Sequence, residues 1–228
     1  ERVAGLAPSL HYAGVSIEGV ERVANPNYLL INLRIAPATQ PGSFAIDFRK
    51  GRSKLASRRY VLDARAPGSA ERAGFGPQDA IYLVMPDRFA NGDPKNDTVK
   101  GLPDGLDRRE PFGRHGGDLQ GIVNHLDYVA GMGFTQLWLN PVLENAQSSI
   151  TYHGYAITDF YEVAPRLGTN ESYRQLSAEA RKRGIGLIKD VVLNHCGSEH
   201  WWMKDQPTPD WFNMGGKFAP THHVREAL

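Results

Sequence analysis

The sequence is poor in the residues and segments that cross-link a chain or anchor it in a membrane. It has a single cysteine, Cys196, which excludes an internal disulfide and disfavours a cysteine-based metal cluster. No apolar run approaches the ~18 residues that a membrane-spanning helix needs. The first three residues lack the basic and then apolar order of a secretion signal. These absences predict a globular protein without a membrane partner.

Charge of one sign is also lacking. Lys and Arg number 26 and Asp and Glu number 25, so the formal net charge is +1, and the basic residues are scattered along the chain. A nucleic-acid-binding protein normally carries a basic patch or stripe, so no nucleic-acid partner is expected. Hydrophobic residues make up 41% of the 228 residues, enough for one large or two small domains.

The first 76 residues are predicted to form a small all-β module. Short runs rich in β-branched and aromatic residues are separated by Pro and Gly, which is typical of strands joined by turns. The runs cover residues 15–18, 28–34, 44–48 and 60–62. Because an immunoglobulin-like sandwich has about seven strands in about 100 residues, this module is either a minimal or an incomplete one.

From residue 77 to 228, strands alternate with helices, which is typical of a parallel sheet. The predicted elements are a strand over 80–85 that is buried on both faces, a helix over 119–132 capped by Asp118, a strand over 135–139, a helix over 171–183 ended by Gly184, and a strand over 186–193. Such units build either a doubly wound sheet or an eight-stranded barrel. No Gly-rich phosphate turn follows the first strand, which argues against a dinucleotide-binding sheet. We therefore predict an α/β fold, the first three strands of a TIM (β/α)8 barrel, with residues 196–228 entering a loop domain after the third strand.

Oxygen-bearing side chains cluster in the loop after the first of these strands. Asn91, Asp93, Asn96 and Asp97 lie within seven residues, around a Gly and a Pro that turn the chain. Hard oxygen donors in a small loop suit calcium, which takes six to eight of them. The alternative is a turn rich in Asn and Asp that bonds only its own backbone. A complete calcium shell would also need Asp118 and a carbonyl from Gly116.

Aromatic and polar residues follow the second and third strands. Tyr155 could offer a flat face to a sugar ring, although aromatics in a loop of this kind also pack against one another. His195 is expected at the rim where the third strand ends. Cys196 beside it is not expected to act as a nucleophile with His195 as base, because consecutive residues of an extended chain point apart.

Together these segments resemble the α-amylase superfamily of glycoside hydrolases. Residues 190–195, Asp-Val-Val-Leu-Asn-His, are similar to its first signature region, and residues 133–141 are similar to its second-strand motif. His153-Gly154-Tyr155, with residues 159–161 and 168–169, resembles the loop whose tyrosine stacks on the bound sugar. The resemblance implies substrate-binding roles for Tyr155, His195 and His153.

The resemblance also bears on the metal and on the subgroup. The 91–97 loop, with Gly116 and Asp118, looks like the calcium site of cyclodextrin glucanotransferases and cyclodextrin-hydrolysing enzymes. This raises calcium above the simple-turn alternative and implies the ligands Asn91, Asp93, Asn96, Asp97, Gly116 and Asp118. The β module in front of the barrel resembles the arrangement in cyclomaltodextrinases and neopullulanases. Members occur in the cytoplasm or are exported, and we expect a periplasmic or extracellular protein.

The family cleaves α-1,4-glucosidic bonds with retention of configuration, using carboxylates that follow the fourth, fifth and seventh barrel strands. The resemblance therefore implies cyclodextrin or maltooligosaccharide substrates, and no catalytic carboxylate within residues 1–228. Two alternatives stay open, namely an amylase-like glucan-binding or transporter-associated protein without the catalytic acids, and a cyclodextrin-forming transglycosylase. The sequence carries no signal of oligomeric state.

Overall fold

The fold was derived from a computed structural model that describes residues 2–72 and 74–213. The chain divides into two compact units, residues 2–72 with 202–213, and residues 74–201. The boundary predicted after residue 76 lies close to this division and stays a prediction, as does the loop domain, of which residues 214–228 lie outside the described residues. No helix in the described ranges has the length and apolar character needed to cross a bilayer.

The first unit contains five antiparallel strands in two small sheets. These are β1 (Ala7–Leu10), β2 (Val15–Glu21), β3 (Leu30–Ile35), β4 (Gly42–Lys50) and β5 (Ser53–Leu62). One sheet has the order β1-β4-β5, and β2 pairs with β3. The β4–β5 hairpin turns at Gly51, whose φ of +59° lies in the left-handed region that glycine adopts without steric cost. The all-β prediction for this segment is confirmed.

A small aromatic and aliphatic core holds this unit together. Val15, Phe44 and Ile46 are buried, and the ring of Phe44 lies 4.9 Å from Tyr12 and 5.2 Å from Tyr60 between centroids. Alternation of side chains along β4 places Phe44 and Ile46 on the same face of the strand. The core is small because β5 is exposed along most of its length.

The second unit is built on three parallel strands in the order β10-β7-β6. They are β6 (Ile81–Val84), β7 (Gln136–Leu139) and β10 (Gly186–Lys189), and a short antiparallel pair, β8 (Leu143–Glu144) and β9 (Asp159–Val163), lies between β7 and β10 in sequence. The helices are α1 (Pro86–Phe89), α2 (Leu119–Asn124), α3 (Leu126–Gly131) and α4 (Asn170–Lys182). Short 3₁₀ turns span Pro94–Asn96 and Trp201–Met203.

The two faces of the parallel sheet differ in burial. Val84, Leu137 and Leu139 belong to the main core with the apolar sides of α2, α3 and α4. On the other face Leu83 is 55% and Trp138 is 40% exposed, and the register places these two side by side. The expectation that the first strand is buried on both faces is therefore wrong for the described chain, because helices cover only one face.

The predicted helix over 119–132 is in fact two helices that break at His125. The imidazole Nδ1 of His125 lies 2.8 Å from the carbonyl of Gly121, the group that a continuous helix would pair with the backbone N–H of His125. That N–H instead bonds the carbonyl of Ile122. The apolar spacing still places Leu119, Ile122, Leu126 and Val129 in the core, so the periodicity survived the break.

The third parallel strand is shorter than predicted and ends at Lys189, whereas the prediction extended it to residue 193. Lys189 pairs with Leu139, the last residue of β7, and β7 is followed by Asn140 and Pro141. Proline has no N–H to donate to a ladder, so the neighbouring strand offers no continuation. Residues 190–195 therefore leave the sheet as an extended segment.

The α4 prediction is confirmed to within one residue at each end. Thr169 caps the helix, because its Oγ1 accepts from the N–H of Ser172 at 3.1 Å while Ser172 Oγ accepts from the N–H of Thr169 at 2.7 Å. This reciprocal pair is a capping box. Gly184, with φ of +73°, follows the last turn.

Candidate functional site

Tyr155 and His195 lie next to each other, as the sequence predicts for two residues of one site. His195 Nε2 is 3.0 Å from the backbone carbonyl of Tyr155, and two residues further on the N–H of Gly197 donates to the carbonyl of Ile157 at 2.7 Å. These contacts hold the segment after β10 against the loop that carries Tyr155. Tyr155 is 38% exposed and His195 is also exposed, so both side chains are accessible to a ligand.

The hydroxyl of Tyr155 is fixed by Asp190, the first residue after β10. It donates to Asp190 Oδ2 at 2.8 Å. Burial, followed by the hydrogen bond and the negative charge of Asp190, raises the pKa of Tyr155. The phenol therefore stays protonated near neutral pH, and its ring is held at both the hydroxyl and the backbone.

His153 supports Tyr155 from the N-terminal side. Its Nδ1 accepts a hydrogen bond from the backbone N–H of Tyr155 at 2.9 Å, and its carbonyl accepts from Asn140 Nδ2 at 3.2 Å. Burial lowers the pKa of His153, which favours the neutral imidazole that this acceptor role requires. The rings of His153 and Tyr155 lie 5.8 Å apart. His153 thus positions the tyrosine, in addition to any contact with a ligand.

The turn between these two residues requires glycine. Gly154 has φ of +82°, and a Cβ on it would lie 2.0 Å from the carbonyl oxygen of Pro141. Any other residue would have to displace the backbone that follows β7. The sequence His-Gly-Tyr therefore couples the loop to the end of the second parallel strand.

Arg88 and Tyr152 extend the same loop, and sequence reasoning missed both. The Arg88 guanidinium carbon lies 4.3 Å from the centre of the Tyr152 ring, a cation–π contact. Arg88 Nη2 also donates to the carbonyls of Pro111 and Gly113 at 2.9 and 2.8 Å. Arg88 therefore ties the loop over 110–115 to the loop that carries His153 and Tyr155.

The segment after β10 keeps the alternation predicted for it, although it is not a strand. Val192 is 8% exposed, whereas Val191 and Leu193 are 57% and 89% exposed. Burial raises the pKa of the Cys196 thiol, which lowers the fraction of the nucleophilic thiolate. This supports the view that Cys196 and His195 are not a catalytic pair.

The predicted calcium loop folds around the carboxylate of Asp118, which is fully buried. This carboxylate accepts from the backbone N–H groups of Asp93 at 2.8 Å and Gly121 at 2.6 Å, and Gly92 N–H lies 3.1 and 3.2 Å from its two oxygens. The side-chain amide of Asn96 donates to it at 3.3 Å. Asp118 therefore caps α2 and fixes the 91–97 loop to that cap.

Two amide oxygens in this loop have no partner. The Oδ1 atoms of Asn91 and Asn96 are buried and accept no hydrogen bond from the described residues. Asn91 Nδ2 donates to Asp97 Oδ1 at 2.6 Å, and a Cβ on Gly116 would approach both Asp97 Oδ1, at 2.6 Å, and Asn91 Nδ2, at 3.1 Å. The structure thus brings Asn91, Asp97 and Gly116 together, as a shared site would require.

The donor set fits calcium better than it fits a self-contained turn. Buried amide oxygens without partners are costly, and a hard cation that prefers oxygen ligands would satisfy them. Asp93 Oδ1 does accept from the backbone N–H of Lys95 at 3.2 Å, as the simple-turn alternative predicts. Across residues 2–72 and 74–213, no three His, Cys, Asp or Glu side chains gather as a metal site, so a cation would depend on amide and backbone oxygens.

Comparison with known proteins identifies the chain. The family model for the α-amylase catalytic domain matches residues 83–222, more than half of the sequence. The chain belongs to the α-amylase family. A second model, for the cyclomaltodextrinase N-terminal domain, matches residues 1–66. The two matches fall on the α/β and all-β portions of the chain, in the order expected of a cyclomaltodextrinase- or neopullulanase-like protein.

Relatives carry names from the same family. A β/α-amylase of Paenibacillus polymyxa is 45% identical over 53% of this chain. A cyclomaltodextrinase of Geobacillus thermopakistaniensis is 34% identical over 58% of the chain, and neopullulanase 2 of Thermoactinomyces vulgaris is 37% identical over 55%. The aligned regions amount to 10%, 23% and 21% of these proteins, so the chain covers less than a quarter of each.

A solved structure agrees with this assignment. The α-amylase of Anoxybacillus is 43% identical and superposes with a TM-score of 0.53, over 60% of this chain and 30% of that one. The likeness supports an amylase-type fold for the α/β portion of this chain.

Proposed function

We propose that this amylase-family chain belongs to an enzyme that hydrolyses α-1,4-glucosidic bonds in cyclodextrins or maltooligosaccharides with retention of configuration. The names of two relatives, cyclomaltodextrinase and neopullulanase, support this substrate class. In this proposal β6, β7 and β10 are the first three strands of a (β/α)8 barrel, and the β module is immunoglobulin-like. The exposed faces of Leu83 and Trp138 would line the barrel interior.

The observation that carries the proposal is the joining of Tyr155, His195 and Asp190 at the carboxyl ends of parallel strands. Active sites of barrel enzymes are built at this end. A protonated tyrosine with an exposed ring and an exposed imidazole offer a stacking face and a polar partner, which is what a pyranose ring and its hydroxyls require.

The residues described here would bind and orient the sugar. The ring of Tyr155 would pack against the C–H face of one glucose unit, with His195 bonding a hydroxyl of the same unit. Asp190 and His153 would hold the tyrosine in place. A retaining hydrolase also needs two carboxyl groups about 5 Å apart, which we place on later barrel strands.

We further propose that calcium binds at the 91–97 loop. Asn91 and Asn96 would supply their unpartnered amide oxygens, with Asp93, Asp97, Asp118 and the carbonyl of Gly116 nearby. A bound calcium ion would stabilise the loop that follows β6. Since this loop lies away from the reacting bond in the proposal, the ion is structural.

The proposal is tested by assaying the complete protein on β-cyclodextrin, pullulan and starch. The expected result is release of glucose or maltose from β-cyclodextrin, with the α-anomeric configuration in the first product detected by NMR. Absence of hydrolysis on all three substrates would overturn it. Sugar binding without turnover would favour an amylase-like glucan-binding protein, whereas cyclic products from starch would identify a transglycosylase.

A further inference from the structure

A small cavity in the second unit is lined by two buried arginines, Arg114 and Arg166. The cavity measures about 10 Å³, and Asn145 and Thr151 also line it. It forms between the end of β7, the loop over 102–114 and the loop over 151–154. No acidic side chain lines it within the described part of the chain. Its polar walls are therefore cationic or neutral.

Several polar atoms at this cavity lack hydrogen-bond partners. Arg114 is 3% exposed, and its Nε and Nη2 atoms make no hydrogen bond to the described residues. Asn145 is 4% exposed, and neither its amide nitrogen nor its amide oxygen has a partner. Groups this deeply buried are nearly always satisfied by protein or by a bound species. Because most of these unpartnered atoms are donors, the missing partner is an acceptor.

Charge at the cavity is also out of balance. The one carboxylate in contact with these guanidiniums is that of Asp87, which lies 3.3 Å from Arg114 and 3.5 Å from Arg88 and so is shared. Arg166 is 2% exposed and donates to the backbone carbonyls of Asp104 and Asn145. Among the described residues it has no ion-pair partner within 4 Å. A buried guanidinium without a counter-charge is strongly disfavoured.

We propose that the cavity binds a single monatomic anion of chloride size, held between Arg114, Arg166 and Asn145. The volume admits about one water-sized occupant and excludes sulfate, phosphate and carboxylates. An anion there would accept from the unpartnered donors and neutralise the unpaired positive charge. Burial, and secondly the charge of Arg114, lower the pKa of Arg166 to about 10, which is consistent with a guanidinium that the protein alone leaves uncompensated.

The site would stabilise the fold around the proposed sugar pocket. Arg114 Nη1 lies 3.3 Å from Thr151 Oγ1, and Thr151 accepts the N–H of Gly154 through its carbonyl. Asp104 in turn accepts both the N–H and the hydroxyl of Thr151, at 2.9 and 2.8 Å. The anion would thus support the start of the loop that carries His153 and Tyr155, independently of whether that loop binds sugar.

The test is thermal unfolding of the purified protein in sodium gluconate and in sodium chloride at equal ionic strength. Gluconate is too large for the cavity, so chloride should raise Tm by about 3–5 °C at about ten times its Kd, with saturation. Asn145→Asp supplies a fixed negative charge and should abolish the chloride response. Arg174→Gln, a change at an exposed arginine, should retain it. An equal Tm in both salts for the unaltered protein would overturn the proposal.

A second measurement covers the case in which Asn145→Asp fails to fold. Crystals of the unaltered protein soaked in bromide should give an anomalous peak in the cavity within contact distance of Arg114 and Asn145. Density without anomalous signal would mean that a water molecule fills the space, and the anion would be ruled out. A chloride response that persisted in folded Asn145→Asp would place the anion elsewhere and would also reject the site.

Discussion

The hydroxyl of Tyr155 donates to the carboxylate of Asp190 at 2.8 Å. The two residues are 35 positions apart, one in the loop after β7 and the other directly after β10. Their contact joins the ends of two neighbouring parallel strands. The aromatic face that we assign to sugar binding is therefore oriented by a side chain from the segment that also carries His195.

Replacing Tyr155 by Ala should weaken substrate binding by removing the stacking face. An aromatic contact of this kind contributes about 0.5–1.5 kcal/mol beyond area burial, so we expect KM for β-cyclodextrin in the complete enzyme to rise by about tenfold. Tyr155→Phe keeps the ring and should show a smaller increase. Tyr161→Ala, at a tyrosine that is 80% exposed, is the matched control. Equal KM values for Tyr155→Ala and the control would argue against stacking.

Stability should fall at acid pH because of His153. Burial lowers its pKa in the folded protein, whereas the unfolded chain has the ordinary value of about 6.5. Below that value the unfolded state binds more protons, so this contribution to stability is full above about pH 6.5 and is lost as pH falls. His153→Gln should flatten the decline in Tm between about pH 7 and pH 5. His11→Gln, at an exposed position, should leave the decline unchanged, and an identical profile for all three proteins would refute this account.

Calcium should stabilise the protein through Asn91 and Asn96. Adding a chelator should lower Tm by about 5 °C relative to saturating calcium, because a ligand that binds only the folded state shifts the unfolding equilibrium. Equal magnesium should not restore the loss. The double change Asn91→Ala and Asn96→Ala should remove the calcium response, and Asn124→Ala, on exposed α2 surface, should keep it. A calcium response unchanged in the double variant would place the ion elsewhere.

Gly154→Ala should destabilise the protein by about 2 kcal/mol or more, since it combines left-handed backbone strain with a clash. The added Cβ would lie 2.0 Å from the Pro141 carbonyl oxygen. Chemical denaturation measures the loss. Gly131→Ala is a suitable control, because a Cβ there meets nothing within 4 Å. Equal stability of the two variants would mean that the turn relaxes without cost.

Elements with complete local signals could be predicted from the sequence. Helix α4 has Thr169 before it and Gly184 after it, and both bounds were predicted to within one residue. Strand β1 and most of β5 were missed. Residues 54–59 of β5 are mainly polar and exposed, so they show no alternation, and they form a strand because β4 provides a partner.

The site was predictable where residues cluster in the chain and not where they meet only in space. Tyr155 and His195 lie in recognisable motifs, and the structure brings them together. Asp190 as the partner of Tyr155, and Arg88 over Tyr152, depend on contacts between residues 35 and 64 positions apart. The cavity between Arg114 and Arg166 left no pattern in the sequence, since their partners are backbone carbonyls and a Thr from other loops.

The central claim is that His195 acts on the sugar and does not merely pack against the loop. The most direct measurement is kcat/KM of the complete enzyme on β-cyclodextrin for His195→Ala, together with Tm. We predict a loss of about 100-fold, typical of removing a hydrogen bond to the reacting substrate, with Tm within about 2 °C because the side chain is exposed. Unchanged kcat/KM with a lowered Tm would contradict the account and would make His195 a structural residue.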